Sequence, residues 1–419
     1  MHLLHVNAAY PPFLGGAEVY TQAMSERFVD DGHGVTLVTT DAAEVEYFWN
    51  PSKRHVAPGR DRLNGVEVIR CRVDHLPFSP WSFYVLRRLA TVIGRWSGVT
   101  SSLLRHLAPY MPSVPEIEAV LAGLSGPLDL VHGINIALEW PLIAGWRYAR
   151  SQGLPFVVTP FVHVGEPGRN DVVINYVMPH QLEALQDADA VIVQTDIEKQ
   201  ALASLGVNES RLHRLGMGVD LDAICGGEAD IFRRRHQLDG PIVTFLGVVT
   251  RDKGSFHLVR AMEQLWTWGS DAHLVVAGPQ VDEFMRFYER LPSATRDRVL
   301  LLGPVLGQEK KDLLAATDVF ALPSRIDSFG IVYLEAWAYG KPVIGARAGG
   351  VPDVIDEGKD GLLVEFGDVD GLAAAIDHLL KAPVRAQRMG QRGRAKVESS
   401  YTWDHIYSQL QVVCERLAG

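Results

Sequence analysis

Short apolar runs alternate with segments of helical periodicity along almost the whole chain, and no other feature constrains the fold as strongly. Residues at helical spacing, such as Tyr20, Ala23, Met24 and Phe28, lie between the runs. Repetition of strand and helix predicts the α/β class, with parallel sheets covered by helices on both faces. The runs that predict strands are residues 3–9, 34–40, 65–71, 128–133, 155–161, 190–195, 241–247, 273–278, 298–303, 318–324, 342–346 and 361–366.

The length of the chain predicts more than one domain. A chain of 419 residues is too long for one typical core, and this many strands fit two sheets better than one. A break falls between about residues 217 and 240, where "GMGVDLDAICGGEADIF" is rich in Gly and Asp and loses periodicity. We predict domains over residues 1–218, with a helical insertion at 75–125, and over 219–398, followed by a last helix over 399–419.

Composition excludes several classes of protein. A net charge of −10 argues against a general nucleic-acid binder, because such proteins present basic surfaces. Cys71, Cys225 and Cys414 lie far apart and form neither a metal-binding spacing nor a disulfide framework, which fits a reducing compartment. No basic segment precedes the first apolar run, and no run is long enough to span a bilayer. We therefore expect a cytoplasmic protein.

Two acidic residues lie in "PSRIDSFGIVYLEAWAYGKPVIG", residues 323–345, where a loop is predicted to run into a helix near Ser328. If one helix held both Asp327 and Glu335, they would lie about 12 Å apart along its axis and be offset by roughly 80°. They would then contact two ends of one long polar ligand. Glu335 has apolar neighbours, and a buried carboxylate needs a partner such as a ligand hydroxyl. The alternative is a helix-start acid and a solvated glutamate.

Two segments have the features of anion sites. Gly15 and Gly16 follow the first strand and open a helix, where backbone N–H groups and the helix dipole favour negative charge. Arg251 and Lys253 precede a helix predicted to start near Gly254, and a bound anion would explain cations at that end. The alternatives that remain open are a plain tight turn and a solvated basic turn.

His163 follows the apolar run at residues 155–161. Polar residues at the carboxyl ends of parallel strands line the crevice where open α/β sheets bind ligands. The position therefore favours a functional histidine, and the alternative is a histidine that is satisfied within the core.

Residues 75–115 depart from the rest of the chain, because they contain many aromatic and arginine residues and no Asp or Glu. Such a composition suits contact with anionic lipid headgroups, and we expect this region to form the acceptor side and to touch the inner face of a membrane. The alternative is a helical insertion that packs its aromatic residues on the first domain. The residues concerned are Trp81, Phe83, Tyr84, Trp96, Tyr110, Arg87, Arg88, Arg95 and Arg105.

These segments, in this order, resemble the family-4 retaining glycosyltransferases of the GT-B fold. The most specific part is residues 323–345, followed by "AGGVPDVI" and "DGLLV". The resemblance runs over the whole chain and is strongest from 241 to 380. It implies two Rossmann-like domains facing across a cleft, with the donor mainly on the second and the acceptor mainly on the first. It also implies that the C-terminal helix packs back on the first domain.

The resemblance implies roles for residues that contact the phosphates and the transferred sugar. Gly15 and Gly16 match the glycine loop near the donor phosphates, and Lys253 matches the lysine that neutralises the diphosphate. His163 matches the histidine beside the transferred sugar.

The same resemblance implies that Asp327 binds sugar hydroxyls and that Glu335 binds the ribose. The backbone amides around Phe329, Gly330 and Ile331 match the loop and helix start that hold sugar and phosphate.

Two positions depart from the family pattern. Val248 stands where the family usually has an arginine, and Arg251 is the cation nearby that could reach the phosphate instead. The first acid is usually a glutamate, and Asp327 is one methylene shorter, which affects the expected donor-sugar geometry.

The function that this resemblance implies is retaining transfer of a sugar from a UDP- or GDP-sugar to a hydroxyl of a glycan, a lipid-linked precursor or a small molecule. No cofactor and no metal ion are expected. Two alternatives are a sugar-nucleotide epimerase of the same fold and a non-catalytic nucleotide-sugar-binding protein. A dehydrogenase is disfavoured because the Gly-x-Gly-x-x-Gly pattern is missing after Val6.

Overall fold

The computed structural model describes residues 1–95, 100–168 and 171–419, and the chain divides into two compact units. The first unit holds most of the chain up to Gly216 together with the C-terminal segment Ile406–Gly419. The second holds Met217–His405 and the short segment that begins at His163. The prediction of two wound α/β sheets is confirmed, since one sheet has eight strands and the other has six.

The first unit is built on the eight-stranded sheet, whose strand order is β3-β4-β2-β1-β5-β6-β7-β8. All neighbouring strands are parallel except β3 and β4, which form an antiparallel hairpin. Its strands are β1 His2–Asn7, β2 Gly34–Thr40, β3 Gly59–Leu63, β4 Val66–Cys71, β5 Leu130–Ile134, β6 Phe156–Thr159, β7 Ala190–Val193 and β8 Leu212–Arg214. Its helices are α1 Gly16–Asp30, α2 Trp81–Gly94, α3 Thr100–Leu107, α4 Ile117–Ala122, α5 Glu139–Gln152, α6 Asp171–Tyr176, α7 Pro179–Asp187 and α8 Asp196–Ser204.

The second unit is built on the six-stranded sheet, whose strands run parallel in the order β11-β10-β9-β12-β13-β14. Its strands are β9 Ile242–Leu246, β10 His273–Ala277, β11 Val299–Leu302, β12 Val319–Leu322, β13 Val343–Ala346 and β14 Gly361–Val364. Its helices are α9 Leu221–Ile224, α10 Ala229–His236, α11 Ser255–Thr267, α12 Asp282–Glu289, α13 Ser293–Arg296, α14 Gly307–Ala316, α15 Ile331–Ala338, α16 Val351–Val354, α17 Val369–Lys381 and α18 Pro383–Ser400.

Every apolar run that predicted a strand overlaps one, and two strands have no such run. Strand β3, "GRDRL", is polar and almost wholly exposed, so it lacks the burial on which the prediction depended. A two-residue Asn64-Gly65 turn with positive φ at both positions holds it against β4, and this turn type favours a hairpin. Strand β8 has only three residues and lies at the opposite edge. The search for apolar runs finds buried strands and therefore did not predict these two edge strands.

The chain enters and leaves the main part of the second unit at one place. Val219 forms an isolated parallel bridge with Thr402, and its N–H donates to the Tyr401 carbonyl at 2.9 Å. A final helix, α19 Trp403–Ala418, then begins, and from Ile406 onward it belongs to the first unit. Within that unit, the Tyr407 hydroxyl donates to Asp31 Oδ2 at 2.7 Å.

The segment after β4 carries α2, α3 and α4; α2 and α3 contribute to a small apolar cluster, whereas the buried residues of α4 belong to the main core of the first unit. Ala90, Ile93, Leu104, Met111 and Met178 are buried together in one apolar cluster. The predicted insertion at 75–125 thus packs part of its apolar surface within the first unit. Among the residues that the structure describes, no helix is both long and apolar enough to cross a bilayer.

Candidate functional site

A half-buried lysine and a buried aspartate form an ion pair between two turns of the second unit. Lys253 precedes α11, Asp327 precedes α15, and Lys253 Nζ donates a hydrogen bond to Asp327 Oδ1. The Asp327 side chain is 13% exposed, and its second oxygen, Oδ2, is buried without a hydrogen-bond donor among the described residues. Burial alone would raise the pKa of Asp327, but the Lys253 ammonium lowers it below its ordinary value. The pair therefore presents one engaged and one open carboxylate oxygen.

Glycine at position 254 allows the two turns to meet. Gly254 has φ of +80°, and a Cβ there would lie 2.3 Å from the Pro323 carbonyl oxygen. Arg325 reinforces the contact, since its N–H donates to the Asp252 carbonyl at 3.0 Å and its Nε donates to Asp252 Oδ1 at 2.9 Å. A side chain at 254 would separate Lys253 from Asp327.

The "AGGVPDVI" motif holds the Asp327 loop from its other side. Gly350 N–H donates to the Asp327 carbonyl at 2.8 Å, and a Cβ on Gly349 would lie 2.2 Å from that same oxygen. Gly349 also has φ of +60°, which a residue with a side chain adopts only at a cost in free energy. The two glycines therefore fix the backbone of the acidic loop.

His163 lies beside this pair. Its ring is hydrogen-bonded to the backbone of Ile326, and the Lys253 and Asp327 charges both act on it. Burial and, to a lesser extent, the Lys253 charge lower the pKa of His163 to about 4 although Asp327 opposes the shift, so the imidazole is neutral at pH 7. The segment is anchored nearby, because Gly349 N–H donates to the Gly165 carbonyl at 2.7 Å. The structure thus brings together His163, Lys253 and Asp327.

Glu335 forms a second pair of the same kind, with Lys310. Lys310 Nζ lies 2.6 Å from Glu335 Oε1, while Glu335 Oε2 is buried and has no hydrogen-bond donor among the described residues. The Glu335 side chain is 12% exposed. Lys310 was not predicted as part of the site, since it lies on α14, 25 positions from Glu335, and no local sequence pattern joins the two residues.

The two acids do not share one helix. Helix α15 begins at Ile331 after Gly330, which has φ of +88°, so Asp327 lies in the preceding loop. Phe329 is buried and packs edge-on against Tyr401, which anchors the loop just before the helix. The N-terminus of α15, with its unpaired N–H groups and positive dipole end, therefore follows the Asp327 loop directly.

The glycine loop of the first unit contains a carboxyl group of its own. Gly15 caps α1, which begins at Gly16, and a Cβ on Gly15 would lie 2.2 Å from Glu18 Oε2. Burial raises the pKa of Glu18 to about 7, although hydrogen bonds from its own backbone N–H and from Asn135 oppose the shift. The Glu18 side chain therefore fills the space beside Gly15 at this helix start.

The contacts of Arg251 are not with Lys253 or Asp327. Its Nη2 lies 3.0 Å from Glu283 Oε1, and its guanidinium lies over the Phe256 ring at 4.3 Å. Val248, where the family pattern has an arginine, is exposed. Lys253 is thus the cation of this loop that contacts Asp327. Over residues 1–95, 100–168 and 171–419, no three His, Cys, Asp or Glu side chains are grouped as metal ligands.

Two parallel-sheet units and these lysine–carboxylate pairs define a protein of the GT-B class. The family model described as "Glycosyl transferases group 1" matches residues 228–396, and "Glycosyl transferase 4-like domain" matches residues 15–218. The chain therefore belongs to the family-4 glycosyltransferases.

Curated relatives agree with this assignment. The chain is 32% identical over 317 residues to GDP-mannose-dependent alpha-(1-6)-phosphatidylinositol monomannoside mannosyltransferase of Mycolicibacterium smegmatis, which covers 72% of this chain and 80% of that protein. It is 30% identical over 339 residues to alpha-maltose-1-phosphate synthase of the same organism, which covers 74% of this chain and 86% of the relative.

Solved structures share the fold over the whole chain. Anabaena Alr3699/HepE in complex with UDP and glucose has a TM-score of 0.70 at 17% identity and covers 100% of both chains. Sucrose-phosphate synthase from Thermosynechococcus elongatus has a TM-score of 0.71 at 22% identity and covers 100% of this chain and 99% of that one. At these identities the likeness is one of fold.

Proposed function

We propose that this chain transfers a sugar, with retention of configuration, from a nucleoside-diphosphate sugar to a hydroxyl acceptor. One observation carries the proposal: each of two buried carboxylates is held by a lysine through one oxygen and leaves its other oxygen open. An open buried acceptor needs a donor, and hydroxyl groups are the donors that sugars supply. Asp327 would accept from the transferred sugar and Glu335 from the ribose.

The diphosphate of the donor would lie near Lys253 and the start of α15. Departure of the nucleoside diphosphate builds negative charge on its β-phosphate, and a fixed cation and helix N–H groups at that position lower the barrier. The turn that Gly254 permits brings Lys253 to Asp327, which supports this role. The charge of Asp327 keeps the ammonium fixed until the donor arrives.

Neutral His163 would sit beside the transferred sugar. A neutral imidazole can donate to a sugar hydroxyl without adding charge to the site, and its low pKa keeps it so at pH 7. The carboxylate nearest to it, Asp327, is engaged by Lys253, which favours front-face attack by the acceptor over a covalent glycosyl intermediate.

The charge on the leaving group would be balanced by Lys253 and by helix amides, without a metal ion. We therefore expect transfer to continue in the presence of EDTA. Rates measured before and after chelation, then with magnesium or manganese restored, test this. Complete loss that either ion reverses would show that the diphosphate site was assigned wrongly.

The acceptor is proposed from the relatives. One relative is named for a mannosyl transfer to a phosphatidylinositol monomannoside, and others are named D-inositol 3-phosphate glycosyltransferase. We propose a lipid-linked, glycan or small-molecule hydroxyl acceptor and a GDP- or UDP-sugar donor.

Thermal shift with UDP-, GDP- and ADP-sugars tests the donor assignment, because a ligand that binds only the folded chain raises its melting temperature. The Asp327→Asn and Glu335→Gln variants should lose much of the shift. Free nucleotide released only when an acceptor is present would exclude the epimerase alternative. No shift with any sugar nucleotide would overturn the proposal.

We also propose that the protein contacts an anionic membrane surface through an apolar stripe on α2. Two residues of α2 that the sequence suggested for this contact do not face solvent freely. Phe83 is buried and stacks on Trp49, and Arg87 pairs with the buried Glu139 at 2.9 Å, so neither is available to bind lipid. Trp96 lies outside the described residues. Arg88 is exposed on the same helix, and its charge suits anionic headgroups. The exposed residues of the stripe and its preceding turn are Phe78, Trp81, Tyr84, Val85, Leu89 and Val92.

Co-sedimentation with vesicles tests this contact. Wild type should bind vesicles that contain anionic lipid, and salt should weaken binding. Trp81→Ser/Leu89→Ser and Arg88→Glu should each reduce it, whereas Arg72→Glu, an exposed change outside the stripe, should not. No binding to anionic or neutral vesicles would remove the membrane contact and leave the transfer activity untouched.

A further inference from the structure

Arg70 is the one arginine or lysine among the described residues that is buried, with an exposed fraction of 7%. It lies near the end of β4, and its Nη2 donates to the Pro11 carbonyl at 2.5 Å. Its Nη1 is also buried and has no hydrogen-bond partner within the same described residues. Arg70 forms no ion pair in that part of the chain, which distinguishes it from the paired arginines Arg87 and Arg150.

A buried guanidinium in this state is unusual. Arginine keeps its proton under physiological conditions, and buried charges in proteins are almost always paired. Burial lowers the pKa of Arg70, and the charges of Asp61 and the buried Asp41 oppose that shift, although neither carboxylate forms an ion pair with Arg70. One carbonyl oxygen satisfies part of the hydrogen-bonding capacity and none of the charge. Among the described residues, no carboxylate contacts the guanidinium directly, so an anion of suitable size could still bind it.

A cavity of about 570 Å³ adjoins Arg70. Its lining includes Pro11 and Pro12 after β1 and residues 56–61 before and within β3, so it lies where the ends of β1 and β4 meet the first loop. Carboxyl ends of parallel strands are the usual ligand-binding edge of such sheets. The charged side chains of the lining are Arg60, Arg70 and Asp61, which gives one net positive charge.

Tyr10 adds a second unsatisfied group. Its hydroxyl is buried without a partner among the described residues, and the charges of Glu26 and Arg70 act on it in opposite directions. Tyr10 does not line the cavity itself but directly precedes Pro11, which does. A phosphate or carboxylate accepts several hydrogen bonds at once, and arginine binds either with two parallel N–H donors.

We propose that Arg70 and this cavity form an anion subsite of the first unit, which binds a phosphate or carboxylate group of the acceptor. The assignment to the acceptor rests on the proposed function, whereas the binding of an anion does not. The group would be a phosphomonoester, a phosphodiester or a carboxylate attached to the molecule that carries the reacting hydroxyl.

Inorganic phosphate is the first probe, titrated against chloride at constant ionic strength and followed by thermal shift. Wild type should bind phosphate, and Arg70→Met should weaken its affinity about tenfold or more, as expected for loss of a charged hydrogen bond. Arg72→Met removes an exposed arginine two positions away and should leave affinity unchanged. Lys253→Met removes the other expected phosphate contact. In this variant, the phosphate binding that depends on Arg70 should persist.

A second pair of probes distinguishes free from lipid-borne phosphate. Glycerol phosphate and vesicles of phosphatidylglycerol carry the same chemical group, and Arg70→Met should weaken binding of whichever source the cavity accepts. If Arg70→Met does not fold, Arg70→Lys keeps the charge but loses the forked geometry, and it should bind phosphate more weakly than wild type.

Phosphate affinity equal in wild type and in a folded Arg70 variant, or no phosphate binding by wild type, would overturn the subsite. The proposed function can fail separately. A chain that binds phosphate through Arg70 but no sugar nucleotide would keep the subsite and refute glycosyl transfer. A chain that binds sugar nucleotides but shows no Arg70-dependent phosphate binding would refute the subsite and leave the proposed glycosyl transfer standing.

Discussion

Lys253 and Asp327 are 74 positions apart in the sequence, yet they form the ion pair around which the second unit's candidate site is arranged. Two glycines make this contact possible, since Gly254 and Gly349 leave no room for side chains, and the backbone N–H of Gly350 holds the Asp327 carbonyl. The two charges hold each other in place in the absence of a ligand. A donor that carries both phosphate and sugar would contact both residues.

Neutralising Lys253 should weaken binding of the diphosphate part of the donor, whereas neutralising Asp327 should weaken binding of the sugar part. Lys253→Met should weaken nucleoside-diphosphate affinity by about 10- to 100-fold, because it removes a charge-assisted hydrogen bond worth roughly 1.5–3 kcal/mol. Asp327→Asn frees the ammonium, so nucleoside diphosphate should bind at least as tightly while the sugar nucleotide binds more weakly. Calorimetric titration of both ligands measures this. Lys359→Met, an exposed change, is the control, and unchanged affinity in folded Lys253→Met contradicts the assignment.

His163→Ala should keep nucleotide binding and lose most turnover, by about 100-fold if the imidazole stabilises the reacting sugar through a preorganised hydrogen bond. Nucleotide affinity and rate at saturating substrates are the two measurements. Because its pKa is about 4, the wild-type rate should show no titration of His163 between pH 6 and 8. Near-normal turnover of a folded variant would indicate that His163 is a core histidine without a part in transfer.

We expect the Lys310–Glu335 pair to bind the ribose hydroxyls of the donor. Glu335→Gln and Lys310→Met should each weaken binding of a ribonucleotide, whereas binding of the 2′,3′-dideoxy form should change little, because the hydroxyl donors are missing there. The ratio of the two affinities therefore falls in both variants. Lys311→Met changes a lysine at the next position of α14 and is the matched control. An equal loss for both nucleotides would indicate a structural role only.

Buried neutral histidines should make the fold sensitive to mild acid. Burial lowers the pKa of His5 to about 4 against 6.5 when unfolded, and it also lowers the pKa of His132. The unfolded chain takes up the protons between those values, so stability falls as pH drops from 7 to 5, by about 2 kcal/mol from His5 alone. Denaturant unfolding at both pH values measures this. His5→Asn should reduce the pH dependence, and exposed His106→Asn should not.

The sequence predicted most strands of both sheets, because a buried parallel strand is a continuous apolar run that can be recognised from its own residues alone. It missed β3 and β8, which lie at the edges of the sheet and are defined by their neighbours. The Asn64-Gly65 turn was the available signal for β3. Both acids of the candidate site were found, but their placement on one helix was not, since Gly330 starts α15 only after Asp327.

The partners of the predicted residues could not be read from sequence. Lys310 belongs to an ordinary helical pattern, and only the tertiary structure brings its side chain to Glu335. Arg70 looked like any polar residue in a strand, and its burial without a counter-ion appears only in three dimensions. Charge pairing over long sequence separations depends on tertiary structure, whereas glycine motifs and strand runs are local.

The last helix bears on how the chain is made. The first unit includes residues from Ile406 onward, where Tyr407 bonds to Asp31 and packs on Phe28, while the second unit ends at His405. Synthesis proceeds from the N-terminus, and domains tend to fold as they emerge. Here the ribosome delivers every residue of the second unit before it delivers the segment Ile406–Gly419, which belongs to the first. The unit whose synthesis begins first is therefore the one that is completed last.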